Sequence, residues 1–229
     1  YAVDNRANFS LIKSNGKYTL KNKLTDGYEV KESKNVRNKQ VLAKLIWNIN
    51  TLPDEHLRGY LSNNIDVYHY LRWLAGIVLT SNADGFVHNY ALYYHPARRK
   101  WLIIPWDYEG TWGRDCYGDK LPADYVRPYG YNRLTERILA VPSFKNYYLR
   151  VMNTVLERYF VKDALMRQAN RLMDHIRPDV YVLYHRETVQ KFEQERLYLQ
   201  SYVVERRKHL LKVLAQESLR ERFQHGDKM

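Results

Sequence analysis

Residues 81–110 read SNADGFVHNYALYYHPARRKWLIIPWDYEG, which is two apolar runs separated by a short polar segment. The runs cover residues 89–94 and 100–104, and aromatic and branched side chains dominate both, as is typical of strands. His95-Pro96-Ala97-Arg98-Arg99 between them suits a turn. The pattern therefore predicts a β-hairpin, preceded by a loop over residues 81–88.

Apolar residues at helical spacing surround this hairpin on both sides. A loop is predicted over 110–130, because that stretch carries four of the ten glycines and two of the seven prolines. The predicted helices cover 37–50, a short segment from Pro53, 65–80, 132–140, 142–160, and two or three segments within 162–222 with a break near Arg177-Pro178-Asp179.

The first 34 residues alternate short apolar pieces with turn signals. Asn15-Gly16 and Asp26-Gly27 favour tight turns, since both residues of each pair tolerate positive φ. Two or three short strands are expected here. The prediction is an α+β protein with a small lobe over residues 1–40 and a mainly helical body over 41–229.

Composition limits the classes of function. The net charge of +12 favours anionic partners. The positive excess flanks a neutral middle, and no basic run is long enough for a nucleic-acid arm. Cys116 is the one cysteine, so an intrachain disulfide and a cysteine metal site are excluded. The apolar segment 65–79 is too short to span a bilayer, and no membrane partner is expected.

Acidic and amide side chains stand at the ends of the two predicted strands. A hairpin brings its ends together, so Asn89 at the start should lie near Asp107 at the finish. Asp84 precedes Asn89 by five residues, and Glu109 follows Asp107 by two and would share its face in an extended backbone. Hard oxygen ligands of this kind suit Mg²⁺, which usually binds one or two carboxylates together with substrate phosphates.

The five-residue step from Asp84 to Asn89 is also the step in the catalytic loop of protein kinases. On that mechanism Asp84 orients the acceptor hydroxyl, while Asn89 and Asp107 hold metal at the ATP phosphates. Each residue also has a structural alternative. Asp84 suits a turn before glycine, Asp107 suits a cap of the following turn, and Glu109 suits a solvated surface.

Several motifs together resemble the CotH family of spore-coat kinases. They are Asn89-Tyr90-Ala91-Leu92-Tyr93, then Lys100-Trp101-Leu102-Ile103-Ile104-Pro105-Trp106-Asp107, then Gly110-Thr111-Trp112-Gly113. The resemblance implies a kinase-like fold with a reduced N-lobe, of which residues 1–40 would be the last part. It also implies an ATP- and Mg²⁺-dependent transfer of phosphate to serines of coat proteins.

The resemblance assigns roles to individual residues. Asp84 would be the catalytic aspartate, Asn89 would bind nucleotide and metal, and Asp107 would bind metal. Trp101 would stack on adenine, although a strand tryptophan also suits a core. The family has Asp-x-Asp where this chain has Asp107-Tyr108-Glu109, so metal binding through Glu109 is expected to be altered rather than lost.

The implied setting is the spore coat or the mother-cell cytoplasm of an endospore-forming bacterium. Tyr1 is not an initiator methionine, and Tyr1-Ala2-Val3 is typical of a strand entered midway, as in a fragment. The resemblance places the family's N-lobe sheet before Tyr1, and whether the natural protein has it stays open. Three other functions stay open: a catalytically inactive coat-assembly scaffold, a two-metal phosphoesterase using the same acids, and nucleic-acid binding. The even spread of charge makes nucleic-acid binding the weakest of them.

Overall fold

The computed structural model describes residues 2–3, 7–12, 21–31 and 37–226. The chain forms two compact units, one of Tyr1–Leu121 with Tyr125–Leu149 and one of Pro122–Asp124 with Arg150–Met229. Helices predominate, and a small antiparallel sheet makes the class α+β. The predicted division at residue 40 stays a prediction.

In chain order the elements are β1 (Ala2–Val3), β2 (Tyr28–Glu29), α1 (Arg37–Thr51), α2 (Asp54–Asn64), α3 (Val67–Thr80), α4 (Asp84–Val87), β3 (Tyr90–His95), β4 (Lys100–Pro105), α5 (Arg133–Leu139), α6 (Pro142–Arg158), α7 (Lys162–Leu183) and α8 (Arg186–Gly226). The helices predicted over 37–50, 65–80, 132–140 and 142–160 are confirmed within one or two residues at nearly every end. The loop predicted over 110–130 is free of helices and strands.

The predicted hairpin is formed by β3 and β4. Its register pairs Tyr90 with Pro105 and His95 with Lys100, and the four-residue turn closes with Arg99 N donating to His95 O at 2.8 Å. Arg99 adopts a φ of 52°, which lets the turn reverse the chain. The sheet order is β2-β1-β3-β4, so the hairpin lies at one side and short β1 pairs with β3.

Helix α3 is the core helix of the first unit, as its near-continuous apolar sequence predicts. Nine of its fourteen residues are buried, and it contacts β4. Asp66 caps its N-terminus by accepting from His69 N, and Asp66 N donates to Trp101 O at 3.0 Å. His69 Nε2 lies 2.7 Å from Ile103 O. These bonds fix the hairpin against the start of α3.

The N-terminal segment agrees with its prediction where it is described. The turn at Thr25-Asp26-Gly27-Tyr28 is present, with Tyr28 N donating to Thr25 O and Gly27 at a φ of 88°. Short strands β1 and β2 pair antiparallel. The turn predicted at Ser14-Asn15-Gly16-Lys17 lies outside the described residues.

Two local predictions were wrong. The segment 81–88 is not a plain loop, because residues 84–87 form the single helical turn α4. The predicted break at Arg177-Pro178-Asp179 is absent, and α7 continues through Pro178 to Leu183. Proline removes only one backbone donor. Two side-chain ion pairs in the turn before it hold α7 to α8, Arg177 to Glu193 at 2.8 Å and Asp174 to Arg196 at 2.7 Å.

In the second unit α7 and α8 form an antiparallel pair of helices in contact with each other. Its core contains apolar residues of α6, Phe160 and residues of α8 such as Val203 and Leu210. Arg206 is fully buried among them and donates to Ala123 O at 2.5 Å. Among the described residues, no helix combines the length and the hydropathy needed to cross a bilayer.

Candidate active site

The segment between α3 and β3 positions Asp84. Helix α3 ends where Ser81 adopts a left-handed φ of 51°, and Asn82 N then donates to Ile77 O at 3.0 Å. The Asn82 side chain is fully buried, and its Oδ1 accepts from Gly85 N at 2.7 Å. A side-chain acceptor at this place satisfies a backbone donor of a helical turn. This turn is α4, and Asp84 is its half-buried first residue.

Backbone contacts link Asp84 to Asn89. The carbonyl of Asp84 accepts from His88 N at 3.0 Å and from Asn89 N at 2.9 Å, which closes α4 directly before β3. Asn89 is buried, with 7% of its surface exposed. A carboxamide that is buried to this degree needs hydrogen-bond partners, and these partners fix the orientation of the side chain.

That partner is Asp107. Asn89 Nδ2 donates to Asp107 O at 2.8 Å, and Trp106 N donates to Asn89 O at 3.3 Å. The predicted convergence of the two hairpin ends is therefore confirmed. Because Nδ2 is used on the protein backbone, Oδ1 is the carboxamide atom that a cation could use.

Asp107 has an unusual backbone for a residue other than glycine. Its φ is 57°, and its side chain is exposed. Aspartate tolerates this left-handed conformation better than most residues, and such strain is concentrated at functional sites. The conformation turns the chain sharply as it leaves β4, and the Asn89 hydrogen bond holds that turn in place.

Tyr108 separates the two outward carboxylates of Asp107 and Glu109. Its hydroxyl accepts from the indole N–H of Trp73 on α3 at 2.6 Å, and burial raises the pKa of Tyr108 to about 12. Glu109 is exposed, like Asp107. A side chain anchored inward between them leaves both acids on the open surface.

The loop after Glu109 folds back over this region. Gly110 is buried because the backbone of Asp115 and Cys116 approaches it, and a Cβ at Gly110 would lie 3.1 Å from Cys116 N. Trp112 N donates to Thr80 O at 2.6 Å, which fixes the loop to the end of α3. Partial desolvation, followed by the negative charges of Asp84 and Asp115 and then of Glu109, raises the pKa of the Cys116 thiol. Asp84 and Glu109 are therefore both close enough to Cys116 to affect the pKa of its thiol.

A cation site here would use mixed ligands. Within the described part of the chain, no group of three or more His, Cys, Asp or Glu side chains is arranged to hold a metal ion. The candidate ligands are the Asp107 carboxylate and the Asn89 Oδ1, two residues that are joined through the Asp107 main-chain carbonyl, with Glu109 nearby in sequence. Such a set fits Mg²⁺, which keeps several waters and shares its coordination with substrate phosphates. The metal roles of these three residues stay predictions.

Trp101 lies in the core. Only 3% of its surface is exposed, and its ring is tilted against Tyr94 at a centroid distance of 5.2 Å. An adenine would reach this indole only after neighbouring side chains moved aside. This burial favours the alternative that Trp101 is a core residue, and its role in stacking on adenine stays a prediction.

Sequence reasoning missed the two residues that shape α4. Asn82 and Gly85 carry no catalytic chemistry, but they set the position of Asp84. The available signal was an asparagine three residues before a glycine, a spacing at which an Asn side chain can accept from a backbone amide. Trp73 was missed as well, because its partner Tyr108 is thirty-five residues away.

The geometry is that of a mainly helical protein with a hairpin whose ends hold an aspartate, an asparagine and a second aspartate in contact. The family described as "CotH kinase protein" matches residues 1–210, and the chain belongs to that family. The chain is also similar to the protein named "Inner spore coat protein H" of Bacillus subtilis strain 168, with 40% identity over 211 residues. The aligned region is 92% of this chain and 58% of that relative, so the chain spans less than two thirds of the relative's length.

Proposed function

We propose that this chain is the catalytic body of an ATP- and Mg²⁺-dependent protein kinase of the CotH type, with a kinase-like fold, that phosphorylates serine or threonine residues of spore-coat proteins. The observation that carries the proposal is the linked contact of Asp84, Asn89 and Asp107 through the Asn89 amide groups. Family membership supports it, because the family's description names a kinase. The coat setting, or the mother-cell cytoplasm, is proposed from the name of the similar Bacillus protein.

In this mechanism Asp107 and the Asn89 Oδ1 would hold Mg²⁺, and Glu109 would offer a further carboxylate. The bound metal would supply charge neutralisation at the phosphates. Asp84 orients the acceptor hydroxyl and takes its proton as the hydroxyl oxygen bonds to the γ-phosphorus and ADP leaves. Positioning and electrostatic stabilisation contribute most of the rate enhancement in such reactions.

A catalytically inactive coat scaffold is the second candidate. Two observations favour it. The Trp101 ring is buried, and the described residues contain no group of three or more His, Cys, Asp or Glu side chains that could hold a metal ion. A scaffold of this kind would bind coat proteins but not Mg²⁺·ATP. Nucleotide binding therefore separates the two candidates.

The first test is a thermal shift of the chain with ATP, with and without Mg²⁺, for the wild type, Asp107→Asn and Asp119→Asn. Ligand at 100 times its Kd stabilises by about 2.7 kcal/mol, which corresponds to roughly 5–10 °C for a chain of this size. We expect a Mg²⁺-dependent shift that Asp107→Asn loses. Asp119→Asn, which removes an exposed charge from the loop, should keep it.

Asp84→Asn separates binding from chemistry. It should keep the Mg²⁺·ATP shift and lower phosphate transfer to a coat-protein extract by at least about 100-fold, since it removes the proton acceptor. An unchanged shift in Asp107→Asn would remove its metal role. A wild type that shows no shift but binds coat proteins would favour the scaffold.

A further inference from the structure

The outward face of α7 differs from the face that packs on α8. On the side that packs on α8, the Asp174 carboxylate forms ion pairs with Arg177 at 2.9 Å and with Arg196 at 2.7 Å. Arg177 also bonds Glu193 of α8 at 2.8 Å. The charges on the α8 side are therefore largely paired. Two other carboxylates of α7, those of Asp163 and Asp179, are exposed and stand four residues before Arg167 and four residues after His175.

Three basic residues follow one another on the outward face. Arg167, Arg171 and His175 are four residues apart, a spacing that aligns side chains along one side of a helix. All three are exposed. Within the described residues neither guanidinium has a hydrogen-bond or ion-pair partner.

The same face is concave and partly apolar. A surface pocket of ≈ 820 Å³ is lined by Ala164, Arg167, Gln168, Arg171, Leu172 and His175. Leu172 is 67% exposed, and along the helix Ile176 is 47% and Val182 is 83% exposed. Large aliphatic side chains left in water beside guanidinium groups that form no ion pair are typical of a surface that binds a partner.

We infer that the outward face of α7, from Ala164 to His175, is a docking surface for an acidic protein segment that carries aliphatic side chains. Charge complementarity selects the partner, because an arginine fork binds a carboxylate through two parallel hydrogen bonds. The aliphatic lining selects protein over nucleic acid. None of the described residues that line the pocket is aromatic, although stacking on aromatic rings contributes much of single-strand binding.

The surface is separate in sequence from Asp84, Asn89 and Asp107, and the inference does not depend on kinase activity. A partner that docks here would be held by the second unit while the first unit carries the candidate active site. Binding to α7 is therefore measured without nucleotide or phosphate transfer.

The test is fluorescence anisotropy of the 229-residue chain with a labelled peptide of Glu, Ala and Leu, whose acidic and aliphatic residues share one helical face. A matched peptide has Gln in place of Glu, and a labelled oligonucleotide of equal charge is the third probe. The variants are Arg167→Ala with Arg171→Ala, and Leu172→Ser. A control double variant, Arg58→Ala with Arg158→Ala, loses the same charge from exposed positions elsewhere.

We expect the acidic peptide to bind the wild type, and the Arg167/Arg171 variant to bind it about tenfold more weakly or worse. The control double variant should change affinity by less than about twofold, and Leu172→Ser should also weaken binding. All these positions are exposed, so circular dichroism should report unchanged helix content.

Three outcomes would overturn the inference. They are no binding of the acidic peptide to the wild type, equal losses in the two double variants, and equal binding of the Gln peptide. Preferential binding of the oligonucleotide, lost with Arg167 and Arg171, would also overturn it and would identify a nucleic-acid surface instead.

Discussion

At the scale of single residues, the candidate site depends on Gly85 and Asn82 as much as on the acids. A Cβ at Gly85 would lie 2.9 Å from Ile77 Cδ1 and 3.1 Å from both Cγ and Oδ1 of Asn82. Both neighbours are buried, so neither can move without disturbing the core. The Asn82 amide that would be displaced is the group that accepts from Gly85 N and so holds α4.

Gly85→Ala should therefore destabilise the protein, by about 1–3 kcal/mol, and should shift Asp84. Gly76→Ala is the matched control. Gly76 lies inside α3 with nothing within 4 Å of its Cβ position, so alanine should stabilise by about 0.5–1 kcal/mol through helix propensity. Urea denaturation of both variants measures the difference. Equal stability of the two would show that the space at Gly85 is not restricted.

The residue types of the site were predictable, but their local geometry was not. Asp84, Asn89 and Asp107 stand out because their spacing, together with the predicted hairpin, matches a metal–phosphate site, although each residue alone also suits a turn or a cap. The left-handed backbone of Asp107 has no sequence signal of its own, and for Trp101 the sequence left a buried position and an adenine-stacking position both open. The Asp107 backbone and the burial of Trp101 arise from packing against α3 and from the Asn89 hydrogen bond, both of which join residues distant in sequence.

At the scale of elements, periodicity predicts most of the helices and the hairpin because each is decided by side chains within a few residues of one another. Helix α7 is the exception. Proline favours a break, but α7 continues for five residues beyond Pro178. Contacts with α8, including the Arg177–Glu193 pair, outweigh the local preference, and such contacts are invisible to a reading of neighbouring residues.

Pro178→Ala should stabilise the second unit. Proline has no N–H to donate to Asp174 O, and its ring crowds that carbonyl, at a cost of up to about 3 kcal/mol in a helix interior. Alanine restores the donor. Because Pro178 lies close to the end of α7, we expect a gain of about 1–2 kcal/mol, measured by urea denaturation. A loss of stability would instead show that α7 must bend at Pro178 to pair with α8.

At the scale of the whole molecule, tyrosine is the most distinctive component, with 21 residues in 229. Several of them build the interior of the first unit. The Tyr28 hydroxyl accepts from Phe9 N, that of Tyr90 donates to Ala7 O, and that of Tyr70 bonds Thr135. Each phenol therefore has a partner within the fold, and its neutral form is the one that the interior accommodates.

This use of tyrosine predicts alkaline unfolding. Burial raises the pKa of Tyr70 and of Tyr108 to about 12 and places the pKa values of Tyr28 and Tyr90 well above the usual range. In the unfolded chain these phenols ionise near pH 10. Above about pH 10 the unfolded chain thus binds fewer protons than the folded one, and the free energy of unfolding falls as pH rises toward about 12.

Each unit of pKa difference corresponds to about 1.4 kcal/mol of stability, which is fully present below about pH 10 and is lost as the pH rises through the folded-state pKa. For Tyr70 that loss is complete near pH 12, and for Tyr28 and Tyr90 it continues at higher pH. Tyr108 is only partly buried, so solvent screening reduces its contribution. Tyrosinate absorbance and near-ultraviolet circular dichroism, followed together through an alkaline titration, should change in one step for the buried set after a gradual ionisation of the exposed tyrosines. If all tyrosines ionise together near pH 10 while the tertiary signal persists, the phenols of Tyr28, Tyr70, Tyr90 and Tyr108 are open to solvent, and the interior assigned to the first unit is wrong.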